Sequence, residues 1–270
     1  LSAAIALCRA GHRVTIVERD PDWSVYGVGI IQQANVIRAM DQLGVLDSFL
    51  DAASGFDAVE IFLPDGTKAA RVPTPRLVEG KPANVGIGRP QLQKVLADHA
   101  IGRGAQVRLG LTVQKLVDDG AGVDAVLSDG DTGRFDLVIG ADGIYSQTRT
   151  MLFPEVASPQ PTGQAVWRYN LPRPSGLDAL QVYNGPVGVG LVPMSAEQMY
   201  IFVTTPAAPD AHEARAGIAG RMRGRLNNAA PQLRELANGI IDDDAVVYRP
   251  LEVMLVDGDW HKGRVVLLGD

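Results

Sequence analysis

Three acids at strand ends, and the glycines beside them, are the residues of this chain whose type and spacing suit chemistry. Glu18 closes Arg13-Val-Thr-Ile-Val-Glu18, a short run rich in β-branched residues, and Arg19 follows it. An acid at the end of a strand, one helix into a βαβ unit, is placed to accept hydrogen bonds from the adenosine ribose of a dinucleotide. NAD and FAD are both held in this way, so Glu18 alone leaves the nucleotide open. Asp142 lies in Gly140-Ala-Asp-Gly143, directly after the apolar run Leu137-Val-Ile139. A wholly apolar strand that opens into a glycine turn and a helix is a buried element of a parallel sheet. Gly143 permits close backbone approach there, and the helix N-terminus beyond it adds partial positive charge. Asp270 follows a last apolar strand, Arg264-Val-Val-Leu-Leu268.

Other chemistries are not supported. The histidines at 12, 99, 212 and 261 are scattered and lack metal-ligand spacing. Cys8 sits in an apolar helix and reads as a small core residue. There is no nucleophile elbow, Walker loop or paired-cysteine motif. Trp167, Arg168, Tyr169, Tyr183, Tyr200 and Phe202 fall on strand-like runs. Alternation puts Trp167 and Tyr169 on one face and Arg168 on the other, and most of the six read as core or sheet-surface residues.

The elements that must position these residues follow from periodicity. Ile5, Ala6, Leu7 and Ala10 recur at helical spacing before Gly11, and the strand ending at Glu18 follows. Residues 32–44 read as a helix, residues 59–72 as a hairpin around Asp65-Gly66, and 72–82 as a proline-rich loop. Arg89-Pro90 opens a helix running to about Gly102. Three strands are expected at 105–117, 122–128 and 133–140. Several runs between 164 and 204 are separated at hairpin spacing and predict an antiparallel sheet. Helices are expected at 212–226 and 230–238.

The 270 residues are 46% apolar and 21% charged, the composition of a globular protein rather than a disordered one. With 25 basic and 31 acidic residues the formal charge is −6, which argues against a nucleic-acid partner. One cysteine points to a reducing, cytoplasmic setting. No run is long and apolar enough for a transmembrane segment, and no signal peptide is evident.

Asp136-Leu-Val-Ile-Gly-Ala-Asp142-Gly143-Ile-Tyr-Ser146-Gln-Thr-Arg149 resembles the DG motif of the FAD-dependent aromatic hydroxylases, the para-hydroxybenzoate hydroxylase-like class A flavoprotein monooxygenases. Trp260-His-Lys-Gly-Arg-Val-Val-Leu-Leu-Gly269-Asp270 resembles the start of their GD motif. Gly27-Val-Gly29-Ile30, Asn35 and Ile87-Gly-Arg89-Pro-Gln-Leu92 are similar to that family too, in its order and approximate spacing.

The resemblance implies an α/β fold: a Rossmann-like FAD-binding domain, with a parallel sheet and a β-meander, interleaved with an antiparallel-sheet substrate domain. The expected spans are 1–72 and 73–154 for the FAD-binding domain, 155–255 for the substrate domain, and 256–270 for the return to the first. It implies that Asp270 hydrogen-bonds the ribityl chain of FAD. Asp142 and Gly143 would lie near the pyrophosphate, with Arg149 pairing with Asp142 or the phosphates. Arg89 would approach the pyrophosphate as a fixed cation, Gly29 would pass close to the flavin, and Val113 would meet the adenine through backbone atoms. The implied reaction uses NADH or NADPH and O2 to hydroxylate a small aromatic, phenolic or aromatic-acid substrate through a flavin C4a-hydroperoxide, with FAD as cofactor. No catalytic base can be assigned. The family's GxGxxG loop and the segment after the GD motif are not among these residues, so the chain reads as a fragment lacking both ends and is expected to bind FAD poorly by itself. The alternatives are a related flavin enzyme, such as a halogenase or flavin-linked reductase, and a non-catalytic flavin-binding protein. A nicotinamide-only dehydrogenase fits less well, having no use for the DG and GD segments.

Overall fold

The computed structural model describes residues 1–25, 27–156, 158–208 and 211–269. In chain order the first elements are α1 (Ser2–Arg9), β1 (Thr15–Glu18), β2 (Gly29–Gln32), α2 (Ala34–Leu43), α3 (Leu46–Asp51), β3 (Ala53–Phe56), β4 (Ala58–Phe62), β5 (Lys68–Pro73), β6 (Asn84–Gly88) and α4 (Arg89–Gly102). There follow β7 (Gln106–Leu109), β8 (Val113–Asp118), β9 (Val123–Leu127), β10 (Thr132–Phe135), β11 (Val138–Gly140) and α5 (Gln147–Leu152). The remainder are β12 (Gln160–Pro172), β13 (Leu180–Tyr183), β14 (Gly188–Pro193), β15 (Gln198–Pro206), α6 (Ile218–Arg225), α7 (Pro231–Ala237), β16 (Val247–Val253), β17 (His261–Lys262) and β18 (Val265–Leu267).

These elements group into two compact units, each assembled from separated stretches of chain. The first holds Leu1–Val14, Val25–Ala105 and Gly163–Pro250; the second holds Thr15–Ser24, Gln106–Thr162 and Leu251–Asp270. The fold is the mixed α/β arrangement expected, with parallel and antiparallel sheets in one chain.

In the second unit β1 pairs in parallel with β7, and β11 pairs in parallel with β18. The meander β8-β9-β10 is antiparallel. The run expected as one strand at 105–117 is two. Gly110 takes φ +72, which turns the chain between β7 and β8 and lets them join different sheets. The run at 133–140 likewise breaks between β10, in the meander, and β11, in the parallel pair.

The first unit is built on a seven-stranded sheet in the order β16-β12-β15-β14-β13-β4-β5. Strand β4, in the hairpin read within residues 1–72, runs parallel to β13 and so extends this sheet. One sheet face packs on α6 and α7 around Trp167, Tyr169, Leu191, Met199, Ile201, Met222 and Leu233. Helix α6 begins at Ile218, not 212, because the Asp243 carboxylate accepts the Gly217 and Ala219 N–H groups at its start. Strand β16, unread in the sequence, lies at the sheet edge, where its Pro250 removes no ladder bond from a central strand. A small sheet, β2-β6-β3, completes the unit.

Candidate functional site

In the second unit, Glu18 ends β1, and its Oε1 accepts the Asp20 N–H at 2.9 Å. Its other carboxylate oxygen has no partner among the described residues. Its carbonyl accepts the Leu111 N–H at 3.0 Å, which brings Val113, two residues further along at the start of β8, into the same neighbourhood. Arg19 is exposed beside them.

The Asp142 turn is a closed hydrogen-bond unit. One carboxylate oxygen accepts the Ser146 hydroxyl; the other accepts the Thr148 N–H at 3.0 Å and the Thr148 hydroxyl at 3.1 Å. Partial burial pushes this carboxyl up, but the bonds from Ser146 and Thr148 outweigh it and hold the group below the usual aspartate range. Ser146 caps α5 by accepting the Arg149 N–H at 2.8 Å. Gly143 takes φ +78, and a side chain there would meet nothing within 4 Å, so the backbone at this turn is open to a close-packed ligand. Arg149 is buried and donates to the Ile144 carbonyl at 2.8 Å; the expected pairing with Asp142 is not formed, because that carboxylate is already filled from within the turn. Gly140, Asp142, Gly143, Arg149, Trp260 and Leu268 line a narrow cleft. Asp270 lies outside the described residues.

In the first unit, Gly29 and Arg89 are in contact. The Arg89 guanidinium donates to the carbonyls of Val28, at 3.4 Å, and Gly29, while its main-chain N–H bonds Val28 at 3.2 Å. The Asn170 amide donates to the Gly27 carbonyl at 2.6 Å. Arg89 thus fixes the 27–29 strap, a role that its place at a helix start did not reveal. The bare side of Gly29 faces the sheet: a Cβ there would lie 2.2 Å from the Tyr200 ring and 2.3 Å from the Met194 sulfur. Gly27 is the open position, with nothing within 4 Å.

The six sheet residues divide as the alternation requires. Trp167, Tyr169 and Tyr183 belong to the core. Arg168 pairs across the ladder with Phe202, and Asn170 with Tyr200, on the opposite face. There Tyr200, Phe56, Val192 and Met194 form a second apolar cluster. A cavity of about 300 Å³ opens beside it, lined by Phe56, Val59 and Leu180 together with Gln32, Asn35 and Asn84. Sequence reasoning missed Asn170 and Asn84; lone asparagines in strands carry no pattern that marks them.

This donor set fits a dinucleotide. The second unit offers a carboxylate with a free oxygen at the end of a parallel strand, and a capped turn with an uncovered glycine beside a helix N-terminus. Among the described residues no group of His, Cys, Asp and Glu could hold a metal ion, and no helix is long and apolar enough to cross a membrane.

A family model described as FAD binding domain matches residues 1–270. Over its whole length the chain is 31% identical to the aurachin C monooxygenase/isomerase of Stigmatella aurantiaca, covering 70% of that protein. It is 25% identical, again over its whole length, to the 2-heptyl-3-hydroxy-4(1H)-quinolone synthase of Pseudomonas aeruginosa, covering 70% of it. Among solved structures, Klebsiella pneumoniae HpxO complexed with FAD and uric acid superposes with a TM-score of 0.87 at 23% identity. That likeness covers 99% of this chain and 69% of the other, and it shows the shared fold.

Proposed function

This chain belongs to the FAD-binding-domain family and is an FAD-dependent monooxygenase, and from that premise we propose that it uses NADH or NADPH and O2 to hydroxylate a small aromatic compound, a phenol or an aromatic acid. The observation that carries the reading is the Glu18 carboxylate, half satisfied by Asp20 and otherwise free at the end of a parallel strand. FAD, when bound, supplies the redox and oxygen-transfer chemistry. The chain supplies position. Glu18 accepts the ribose hydroxyls, with Arg19 beside it and the Val113 main chain toward the adenine. Asp142 acts indirectly: its charge is absorbed within its own turn, which keeps it from repelling phosphate and holds Gly143 and the start of α5 in place. Asp270 is assigned to the ribityl chain. In the first unit, the buried Tyr200 phenol is pushed up to about 12 by desolvation, so at neutral pH it is a proton-bearing donor.

The test is the visible absorption spectrum of the purified full-length protein, with the released cofactor identified, followed by NAD(P)H oxidation in the presence of phenols and aromatic acids. Bound FAD, stimulated oxidation and a hydroxylated product support the reading. A colourless protein that cannot be reconstituted with FAD overturns it, and bound FAD without stimulated oxidation leaves a flavin-binding module. Glu18→Ala is expected to weaken FAD binding by about 1 to 3 kcal/mol, the scale of lost charge-assisted hydrogen bonds. Unchanged affinity removes Glu18 from the site.

A further inference from the structure

The cavity beside Phe56 has an unpaired polar group built into its wall. Asn84, at the start of β6, is 5% exposed, yet its side-chain amide makes no hydrogen bond among the described residues. Register fixes the side on which that amide lies. Asn84 pairs across the ladder with Phe56, and Gly86 pairs with Ile31, so alternation places all four on one face of the small sheet. That face is turned to β14, because a Cβ on Gly86 would lie 2.0 Å from the Pro193 carbonyl oxygen and 2.8 Å from Val192. Asn84, Phe56 and Ile31 all line the cavity, together with Val59 of β4 and Leu180 of β13.

Helix α2 starts on the same cavity, which its N-cap Gln33 and first-turn residues Asn35 and Val36 help to line. The Gln33 carbonyl accepts the Val36 N–H at 2.8 Å and the Ile37 N–H at 3.1 Å. No side chain caps this ten-residue helix, and its first turn holds no acid. The main-chain N–H groups of Ala34 and Asn35 are therefore without an acceptor among the described residues, at the positive end of the helix dipole. Buried polar groups are nearly always paired, so a buried amide and an uncapped helix start on one cavity mark a place that a ligand completes. The lining says what kind. None of the residues around the cavity is ionisable, so an anion entering it would give up hydration without meeting a full counter-charge. A neutral group that both accepts and donates meets no such cost. The rest of the wall is apolar, and the volume is at the lower end for small-molecule sites.

We propose that this cavity is a binding site for an uncharged ring that carries a cyclic amide. Its carbonyl oxygen accepts from the N–H groups at the start of α2, and its N–H donates to the Asn84 side chain. The site lies wholly within the first unit and does not rest on the monooxygenase reading. The requirement is for the amide edge: a ring of the same shape without it leaves both Asn84 and the helix start unpaired.

The test is calorimetric titration of the full-length protein, as isolated, with isoquinolone, N-methylisoquinolone, isoquinoline and naphthoate. Isoquinolone is expected to bind about tenfold or more tighter than each of the other three, the scale of two net hydrogen bonds. Asn84→Leu keeps nearly the same shape without the amide. It should remove most of that advantage while leaving isoquinoline within about threefold. It should not lower the unfolding midpoint of the ligand-free protein, because the group removed is a buried amide without a partner. Gln33→Asp supplies the missing cap from within the chain, and should weaken isoquinolone by about three- to tenfold while raising the unfolding midpoint. The proposal is overturned if isoquinolone does not bind, or if N-methylation or loss of the carbonyl leaves affinity unchanged. It is overturned equally if Asn84→Leu keeps the full preference, or if naphthoate binds tighter, which would make the start of α2 an anion site. Should Asn84→Leu fail to fold, the ligand comparison and Gln33→Asp decide the matter. Protein that holds no FAD breaks the monooxygenase reading alone, since these titrations need no flavin.

Discussion

Strand β12 presents two faces that differ in one respect: whether the protein itself satisfies them. On the helix-covered face, Trp167 is fully buried, donates from Nε1 to the Thr205 hydroxyl at 3.2 Å, and packs against Tyr248 and the Arg225 guanidinium. The Tyr169 hydroxyl accepts the Asp242 N–H at 3.3 Å. A buried carboxylate on that side is answered too. Glu60, buried alongside Phe62 and Ala58, receives Lys68 at 2.7 Å, Arg71 at 2.9 Å and the Gln181 amide at 3.1 Å. One residue along β12, Arg168 and Asn170 face the other way and keep polar atoms open. A face whose polar groups are closed among themselves is a core, and a face that leaves them open at a cost in stability is prepared for something else.

The contrast can be broken most forcefully at Trp167. Trp167→Ala is expected to destabilise the protein by about 3 to 5 kcal/mol, read by denaturant unfolding, through lost burial and the cavity left behind. A loss below about 1 kcal/mol would mean that the helix-covered face is not a close-packed core. Next comes Gly29→Ala, where the added methyl must displace the Tyr200 ring or Met194. A loss of about 1 to 3 kcal/mol is expected from overpacking, together with a change in aromatic-ligand affinity that Trp167→Ala should lack among molecules that stay folded.

Glu60→Gln probes the answered charge. Burial raises the Glu60 carboxyl, but Lys68, Arg71 and Gln181 more than offset this, so its folded pKa lies below the ordinary glutamate value of 4.5. A depressed pKa contributes stability above the unfolded value that is lost as pH falls through the folded one. The variant should therefore be less stable than wild type at pH 7 by about 1 to 2 kcal/mol, kept small by the solvent exposure of both cations. That gap should close as the pH falls below 4.5; a gap that persists at pH 3 would place the stabilisation elsewhere. The smallest effect is expected from Arg168→Gln, whose unfolding free energy in the absence of ligand should change by no more than about 0.5 kcal/mol, or rise. A loss of about 2 kcal/mol or more would show that the open face is as structural as the covered one.

Much of this was legible in the sequence because period and punctuation are local. The apolar run before Gly140, the Asp65-Gly66 hairpin and the Arg89-Pro90 helix start each announce themselves within a few residues, and alternation alone separated Trp167 and Tyr169 from Arg168. What escaped depends on distant partners. Gly110 reads as one glycine in a strand until its neighbours join different sheets. Gly29 reads as room for a cofactor, whereas its missing side chain admits Tyr200, 171 positions along the chain by the difference of 29 and 200. Arg89 reads as a cation for phosphate, and its bonds to the 27–29 carbonyls appear only once the strap is folded against it. The Asp142 turn was found by motif, but that its charge is consumed within the turn could not be read from residue types alone.

The braiding of the two units has a consequence for synthesis. Each unit collects three separated stretches, and the last stretch of each lies beyond residue 162. As the chain emerges from the ribosome, β11 is made long before its parallel neighbour β18, and β4 waits for β13 across more than a hundred residues. Neither body can close while its final stretch is still being translated. Folding is therefore committed late, after a long interval in which unpaired strand edges are exposed.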